Sequence, residues 1–228
     1  MGSFLDWFLP ASASTFAPEI DRIYYAVLIV TGVAFVIVEA GLVWFAVKYR
    51  ARPGRRATYT QGSMRAEMIW TAIPAVSVVA LGVWSGTVWN AVKARDSIPE
   101  GALEYAVMVS QFEWMFTHAG RDGEIGTADD FTLRNQLHVP IGRPVVLRLQ
   151  SEDVIHSLFI PAFRVKQDIV PGMHMAVWFE ATRTGKFEIA CAELCGNGHT
   201  TMGAMTTVHA APEFDQWVAS QPATTALR

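Results

Sequence analysis

The residues best suited to chemistry in this sequence lie in one short segment, which reads CAELCGNGHTTM from Cys191 to Met202. Cys191 and Cys195 are the only cysteines of the chain, His199 follows four positions later, and Met202 ends the segment. Thiolate, thioether and imidazole groups are soft ligands that suit copper. The segment therefore predicts a metal centre, and its donor set favours copper.

The spacing within this segment can bring its donors to one point. Both cysteine sulfurs can face one pocket if the first cysteine ends a strand and the second lies in the following turn. Gly196 and Gly198 let the chain turn tightly, which returns His199 to the same pocket, and Met202 follows as a weak axial ligand. One more imidazole must come from elsewhere, and His156, on a separate β-prone segment, is the predicted donor.

Other uses of two cysteines remain open at this point. A disulfide can form in an oxidising compartment, but it leaves the histidine and the methionine unexplained. A mononuclear blue-copper site uses one cysteine, an iron–sulfur cluster needs about four, and structural zinc sites rarely include methionine. A c-type haem needs a C-x-x-C-H pattern, which the chain lacks. Two thiolates with two imidazoles and one thioether favour a dinuclear copper centre.

Two apolar runs in the first 95 residues predict a membrane hairpin. They extend from Ile23 to Val47 and from Met68 to Val92. Each run would form a helix of about 37 Å, enough to span the ~30 Å hydrocarbon core of a bilayer with some tilt. A buried hairpin of a soluble protein is the alternative, although such runs are seldom this long. We place an external N-terminal segment at residues 1–22, the hairpin at 23–95 and an external domain at 96–228.

The distribution of charge predicts how the hairpin is oriented. Between Lys48 and Ala66 the chain has six Lys or Arg residues and no acidic residue, so this loop should be cytoplasmic. Residues 1–22 and 96–228 then lie on the opposite side. In a bacterium this is the periplasmic or extracellular face of the plasma membrane, and no nucleic-acid partner is predicted.

After the hairpin, the apolar pattern changes to the short period of β-strands. Turns rich in Gly, Pro, Asp and Asn divide this part of the chain into short segments, which predicts a β-sandwich or barrel. One short helix is predicted from Glu213. The predicted β-segments are Glu104–Val109, Gln111–Thr117, Phe131–Val139, Pro144–Leu149, Val154–Ile160, Met175–Ala181, Lys186–Cys191 and Gly203–His209.

A hairpin followed by such a domain resembles subunit II of cytochrome c oxidases over nearly the whole chain. The Cys-x-Glu-x-Cys-x-x-x-His-x-x-Met pattern of residues 191–202 matches the motif of that family for a dinuclear copper centre, CuA. The resemblance implies a cupredoxin-like fold. The predicted fold class is therefore an N-terminal two-helix transmembrane hairpin plus an all-β cupredoxin-like sandwich domain.

The resemblance also implies a role for each ligand. The two cysteines would bridge both coppers, His156 and Met202 would complete one copper, and His199 with the backbone carbonyl of Glu193 would complete the other. The Glu193 carboxylate matches a position that binds Mg²⁺ at the interface with subunit I. The complete implied metal-ligand set is His156, Cys191, Glu193, Cys195, His199 and Met202.

Two further positions carry roles implied by the resemblance. Related chains often have a Gln-Trp-x-Trp segment, whose first Trp accepts the electron from cytochrome c. Here residues 111–114 read Gln-Phe-Glu-Trp, so Phe112 takes the first aromatic position and Trp114 the second. Both are candidates for the point where electrons enter, or they are core aromatics of a strand. Glu67 matches an acid near a proton channel, or it is only a charge that stabilises a helix start.

The function implied by the resemblance is transfer of electrons into a respiratory haem–copper oxidase. The chain would accept electrons from cytochrome c, or a similar basic carrier, and pass them to haem in subunit I, where O₂ is reduced to water. Residues 96–228 hold 16 acidic and 9 basic residues, a net charge of −7, which suits a basic carrier or merely solvates the surface. Subunit III is a further expected partner. The alternatives are a CuA subunit of a nitric oxide reductase and a membrane-tethered copper-delivery protein.

Overall fold

A computed structural model of the chain describes residues 9–94 and 97–222. Contacts divide the chain into two units. One unit is helical and covers Glu19–Asn90, and the other joins the residues before Glu19 to those from Ala91 onward. The predicted fold class is confirmed, because two long apolar helices precede a β-domain of two sheets. The predicted boundary between residues 95 and 96 lies outside the described residues.

Two long helices follow the two apolar runs of the sequence. Helix α1 is Ala17–Lys48 and helix α2 is Met64–Lys93, so α1 begins before the apolar run that starts at Ile23. The hydroxyl of Ser14 accepts a hydrogen bond from the Ala17 amide at 3.2 Å and caps the start of α1. Both helices are long and apolar enough to cross a membrane, and their most apolar windows are not buried within the protein. Lipid or another subunit must therefore cover them.

Among the described residues, ten strands and a short helix form the β-domain. Their bounds are β1 (Leu103–Ser110), β2 (Glu113–His118), β3 (Phe131–Arg134), β4 (Gln136–Pro140), β5 (Pro144–Ser151), β6 (His156–Ile160), β7 (Val165–Ile169), β8 (Met175–Glu180), β9 (Gly185–Cys191), β10 (Gly203–His209) and α3 (Ala211–Ser220). One sheet has the order β3-β2-β1-β5-β8, and the other has the order β4-β10-β9-β6-β7. The two sheets form a sandwich in which β9 lies between β10 and β6.

Each predicted β-segment contains a strand, but two details differ from the prediction. Residues 131–139 form two strands instead of one, because Asn135 adopts a positive φ of 57° and turns the chain from one sheet into the other. Strand β7 was not predicted. Its sequence, VKQDI, buries only Val165 and Ile169 at its ends, so its apolar signal is weak. The helix predicted from Glu213 is present as α3 and begins at Ala211.

The apolar core lies between the two sheets and fixes the strands that carry the predicted metal ligands. In β1 every second side chain is buried, which is the period-two pattern of a half-buried strand. Phe163 and Phe179 are fully buried and their ring centroids are 4.8 Å apart. Burial of a large apolar side chain contributes about 1.5–3 kcal/mol, so this core keeps the strand ends in place.

The segment before α1 packs as part of the β-domain. Ser14 bridges Ala181 just beyond β8, and the Ala13 amide donates to the Ala162 carbonyl at 2.8 Å. The Ser14 hydroxyl also donates to the Phe163 carbonyl at 2.8 Å. The bridge to Ala181, together with the Thr15 amide, which donates to the Glu180 carbonyl at 3.1 Å, uses backbone groups at the β8 edge of one sheet and protects that edge from pairing with another chain.

Three histidines form a cluster where α3 packs on the β-domain. His118 is buried, and its Nε2 accepts a hydrogen bond from the His138 amide at 3.0 Å. The rings of His138 and His209 are hydrogen-bonded at 2.8 Å, and Trp217 of α3 stacks on His138 with centroids 4.0 Å apart. Burial lowers the pKa of His118 to about 3 and the pKa of His138 to about 4. Both rings are therefore neutral at pH 7.

We expect the protein to lose stability as the pH falls below about 6.5. The unfolded chain protonates His118 near its ordinary pKa of 6.5, whereas the folded chain does so only near pH 3. Because the two pKa values of His118 differ, protonation of this one residue lowers the free energy of unfolding by about 2 kcal/mol at about pH 5. The glutamine of His118→Gln cannot be protonated in this pH range, although its side chain can still accept a hydrogen bond from the His138 amide. The variant should therefore lose about 2 kcal/mol less unfolding free energy than the wild type when the pH is lowered to about 5.

The measurement is guanidinium unfolding of the full chain in detergent at neutral and mildly acidic pH. His174→Gln is the matched control, because His174 is exposed and lies outside the cluster. The control should keep the wild-type pH dependence. A His118→Gln protein that loses as much stability on acidification as the wild type would contradict the assignment.

Candidate metal centre

Three adjacent strands converge on the predicted metal centre. Cys191 is the last residue of β9, and Met202 immediately precedes β10, which pairs with β9. The Cys191 amide donates to the Met202 carbonyl at 3.2 Å, so the loop between them closes on itself. On the other side of β9, β6 starts at His156 and pairs Leu158 with Cys191. The sheet order therefore brings two ligand segments, distant in sequence, to one end of the sandwich.

The predicted donor atoms lie within a few ångströms of one another. The two cysteine sulfurs are 3.8 Å apart and both thiols are free. Cys191 Sγ is 3.9 Å from His156 Nδ1 and 3.3 Å from the carbonyl oxygen of Glu193. Cys195 Sγ is 3.6 Å from His199 Nδ1 and 3.7 Å from Met202 Sδ. The sequence-predicted donors are thus together, and the Glu193 carboxylate is on the exposed surface.

The pocket formed by these donors fits a soft metal. Cys191, Cys195, Met202 and His156 are all buried, with 0% exposure for the imidazole. Burial, together with the neighbouring Cys191 thiol, raises the pKa of Cys195 to about 11. Without a cation this cysteine stays protonated at pH 7, so metal binding must release protons and must become weaker in acid. Thiolates, imidazoles and a thioether in one buried pocket are the donor set that copper prefers.

Asp153 holds one of the imidazoles in a fixed orientation. Its carboxylate accepts a 2.9 Å hydrogen bond from His156 Nε2 and a 2.7 Å hydrogen bond from the Gln111 amide. Burial alone would raise the pKa of Asp153, but the hydrogen bonds from His156, Gln111 and Val154 hold it below its usual value. Because the carboxylate is ionised, Nε2 carries the proton and the lone pair of Nδ1 faces Cys191.

The turn between β1 and β2 packs against the outer side of the loop that carries Cys195. Gln111 Nε2 donates to the Cys195 carbonyl at 2.5 Å, a contact that the sequence did not predict. The ring of Phe112 lies on the two glycines of the loop. A Cβ atom on Gly198 would come within 2.5 Å of that ring, and one on Gly196 within 3.1 Å. The glycines are therefore needed for close packing against Phe112 as well as for the turn.

The structure distinguishes the two aromatic candidates for the point where electrons enter. Phe112 is 37% exposed and lies on the surface of the loop that carries Cys195. Trp114 is fully buried, with its ring centroid 6.4 Å from that of His156. A docked protein could contact Phe112 but could not reach Trp114. The remaining candidate, Glu67, belongs to the helical unit, where it lies in the first turn of α2.

We expect Asp153→Asn to weaken copper binding by about tenfold to a hundredfold, because the amide cannot accept both hydrogen bonds and no longer fixes the His156 tautomer. A competition titration of the full chain with a copper chelator measures the affinity. The control is Glu152→Gln, which removes the charge of the neighbouring exposed carboxylate. Equal weakening of binding in the two variants would show that charge near the site matters and that the orientation of His156 does not, and unchanged binding in Asp153→Asn would contradict the prediction outright.

Comparison with known proteins identifies the family. Residues 3–88 match the family description "Cytochrome C oxidase subunit II, transmembrane domain", and residues 104–208 match "Cytochrome C oxidase subunit II, periplasmic domain". The alternative cytochrome c oxidase subunit 2 of Bradyrhizobium diazoefficiens is 32% identical, over 84% of this chain and 76% of the relative. The cytochrome c oxidase subunit 2 of Thermostichus vulcanus is 29% identical, over 96% of this chain and 82% of the relative.

A solved structure agrees with these relatives. The periplasmic domain of subunit II of cytochrome oxidase (CoxB) of Bradyrhizobium japonicum is 27% identical and superposes with a TM-score of 0.50. The similarity covers 57% of this chain and 99% of that domain. Two apolar helices and this similarity describe a membrane protein whose C-terminal domain lies outside. Together with the matched residues, they show that the chain belongs to the cytochrome c oxidase subunit II family, whose β-domain binds copper.

Proposed function

We propose that this chain is the subunit through which electrons enter a respiratory haem–copper oxidase, by accepting them from cytochrome c at a dinuclear CuA centre. The observation that carries the proposal is the buried pair of free thiols, 3.8 Å apart, with His156 Nδ1 and His199 Nδ1 at 3.9 and 3.6 Å from them. The electrons then pass to haem in subunit I, where O₂ is reduced to water. The chain itself is a component of an oxidoreductase complex.

The proposed division of the donors between two copper ions is taken from the family motif, and the contacts of the sulfurs support the set of donors. In the structure Cys191 lies next to His156 and the Glu193 carbonyl, and Cys195 lies next to His199 and Met202. Both cysteines would hold the two copper ions. His156 and Met202 would complete the ligand set of one copper, and His199 with the backbone carbonyl of Glu193 would complete that of the other. Each of these four donors lies 3.3–3.9 Å from one of the two sulfurs, which supports the proposed set of donors.

The protein holds these donor atoms in fixed positions. When bound, a copper pair that shares one electron over two thiolates spreads the change of charge and reduces rearrangement during each transfer. Cys191 is fixed by the β9–β10 ladder, and Cys195 is held by Gln111 through its carbonyl. His156 is fixed by Asp153. Ligands that are held by packing and hydrogen bonds move little when the charge of the site changes.

Phe112 is the proposed contact with the electron donor. It is exposed, and it packs directly on the loop that carries Cys195 and His199. The domain from residue 96 onward carries a net charge of −7, which favours a basic donor such as cytochrome c and makes the encounter faster at low salt. Trp114, behind His156, supports that ligand from the core.

The remaining partners follow from the proposed orientation. The domain lies on the periplasmic or extracellular side of a bacterial plasma membrane, and the helices pack in the bilayer against subunit I and subunit III. The exposed Glu193 carboxylate is available to a Mg²⁺ ion at the interface with subunit I. Glu67 lies in the first turn of α2, which follows the basic loop, and it is the acid that we propose for proton uptake from the cytoplasmic side.

Cys195→Ser should abolish the mixed-valence copper signal, because a serine hydroxyl cannot replace a bridging thiolate. The measurement is low-temperature electron paramagnetic resonance of the copper-loaded full chain. Asn197→Ser is the control, since it changes an exposed residue of the same loop and should keep the signal. A mixed-valence signal that persists in Cys195→Ser would refute the dinuclear assignment.

Phe112→Leu should slow reduction of the centre by cytochrome c about tenfold, which corresponds to about 1.4 kcal/mol of lost contact with the donor. Stopped-flow mixing gives the second-order rate, and an unchanged copper absorption spectrum shows that the centre is intact. Met205→Leu is the control, because Met205 is an equally exposed apolar residue, on β10. If Phe112→Leu is reduced as fast as wild type, electrons enter elsewhere.

A further inference from the structure

The loop between α1 and α2 forms a basic pocket beside the end of α1. This pocket has a volume of about 360 Å³ and is lined by residues 49–52 and 55–58. Four arginines contribute to it: Arg50, Arg52, Arg55 and Arg56. All of them lie within the stretch from Lys48 to Ala66, which has six basic residues and no acidic residue.

The charge of this pocket is not neutralised by the protein. Within the described part of the chain, the ion pairs involve other cations, so no carboxylate pairs with the four arginines. Arg55 donates a 2.7 Å hydrogen bond to the Lys48 carbonyl, which ties the loop to the last turn of α1. Arg50, Arg52 and Arg56 remain available to an anion. Guanidinium groups match the oxygen geometry of phosphate and can bind it in a bidentate manner.

Aromatic rings place this pocket at the depth of the lipid headgroups. Arg55 lies 5.2 Å above the ring of Tyr49, and Lys48 lies 5.3 Å from the ring of Trp44. Tyr and Trp rings are enriched where the hydrocarbon core meets the polar headgroups. The pocket begins one residue after the end of α1, so in a bilayer spanned by α1 its mouth would lie at the level of the lipid phosphates.

We infer that this pocket binds the phosphate headgroup of an anionic phospholipid in the cytoplasmic leaflet. The inference rests on the membrane orientation proposed above. The membrane orientation of the hairpin requires only that the loop carry positive charge, whatever the positions of the basic residues within it. The chain instead gathers four of its six charges around one concave site beside the aromatic rings, which is the arrangement that recognises a single headgroup. Such a lipid would hold this side of the hairpin at the membrane surface.

The test uses the full chain in a neutral detergent, titrated with dihexanoyl-phosphatidylglycerol and followed by calorimetry. Arg52→Gln should weaken binding about fivefold, because it removes one arginine of the pocket. Arg65→Gln is the matched control. It removes the same charge from the same basic stretch but does not line the pocket, so it should change the affinity by less than about twofold. Circular dichroism checks that both variants keep their helices.

Two further titrations identify the source of the phosphate. Dihexanoyl-phosphatidylcholine should bind more weakly than the anionic lipid, and inorganic phosphate should displace the lipid only at much higher concentration. Three results would overturn the inference. They are equal weakening by the two variants, no saturable binding of the anionic lipid, and displacement by inorganic phosphate at concentrations comparable to the lipid. The copper centre is not involved, so these results are independent of the proposed function.

Discussion

The placement of two sulfurs 3.8 Å apart in a buried pocket is the constraint on which the rest of the β-domain depends. Burial and the neighbouring Cys191 thiol raise the pKa of Cys195 to about 11. A metal cation that binds in this pocket must therefore displace the proton of Cys195. The sandwich supplies the rigidity, because the pocket is built at the end of a ladder in which β10, β9 and β6 are neighbours.

A second layer of contacts links the metal pocket to the surface. Asp153 binds both His156 and the amide of Gln111, and the Gln111 side chain reaches the Cys195 carbonyl. One turn thus touches both ligand segments and presents Phe112 to solvent. The orientation of a ligand and the surface offered to an electron donor depend on the same few hydrogen bonds. A change at this turn should affect both properties together.

Charge separates the chain into two environments that serve different partners. The outer domain is acidic, which suits a basic protein carrier, whereas the loop between the helices is basic, which suits an anionic lipid. The segment before α1 shows why domain boundaries that are drawn along the sequence are approximate. Ala13 and Ser14 are buried against the β-domain, although they precede the first membrane helix in sequence. Short backbone pairings of this kind leave no periodic pattern in the sequence.

The sequence by itself determined the two apolar helices, most of the strands and the predicted donor set. These depend on local periodicity and on the chemistry of a twelve-residue segment. Only the tertiary structure decided what depends on contacts between distant segments. It set Gln111 against the Cys195 carbonyl, exposed Phe112 while burying Trp114, and gathered His118, His138 and His209 under α3. The physical reason is that burial and hydrogen-bond partners arise from strand order and packing, and neither is encoded in the spacing of residues along one strand.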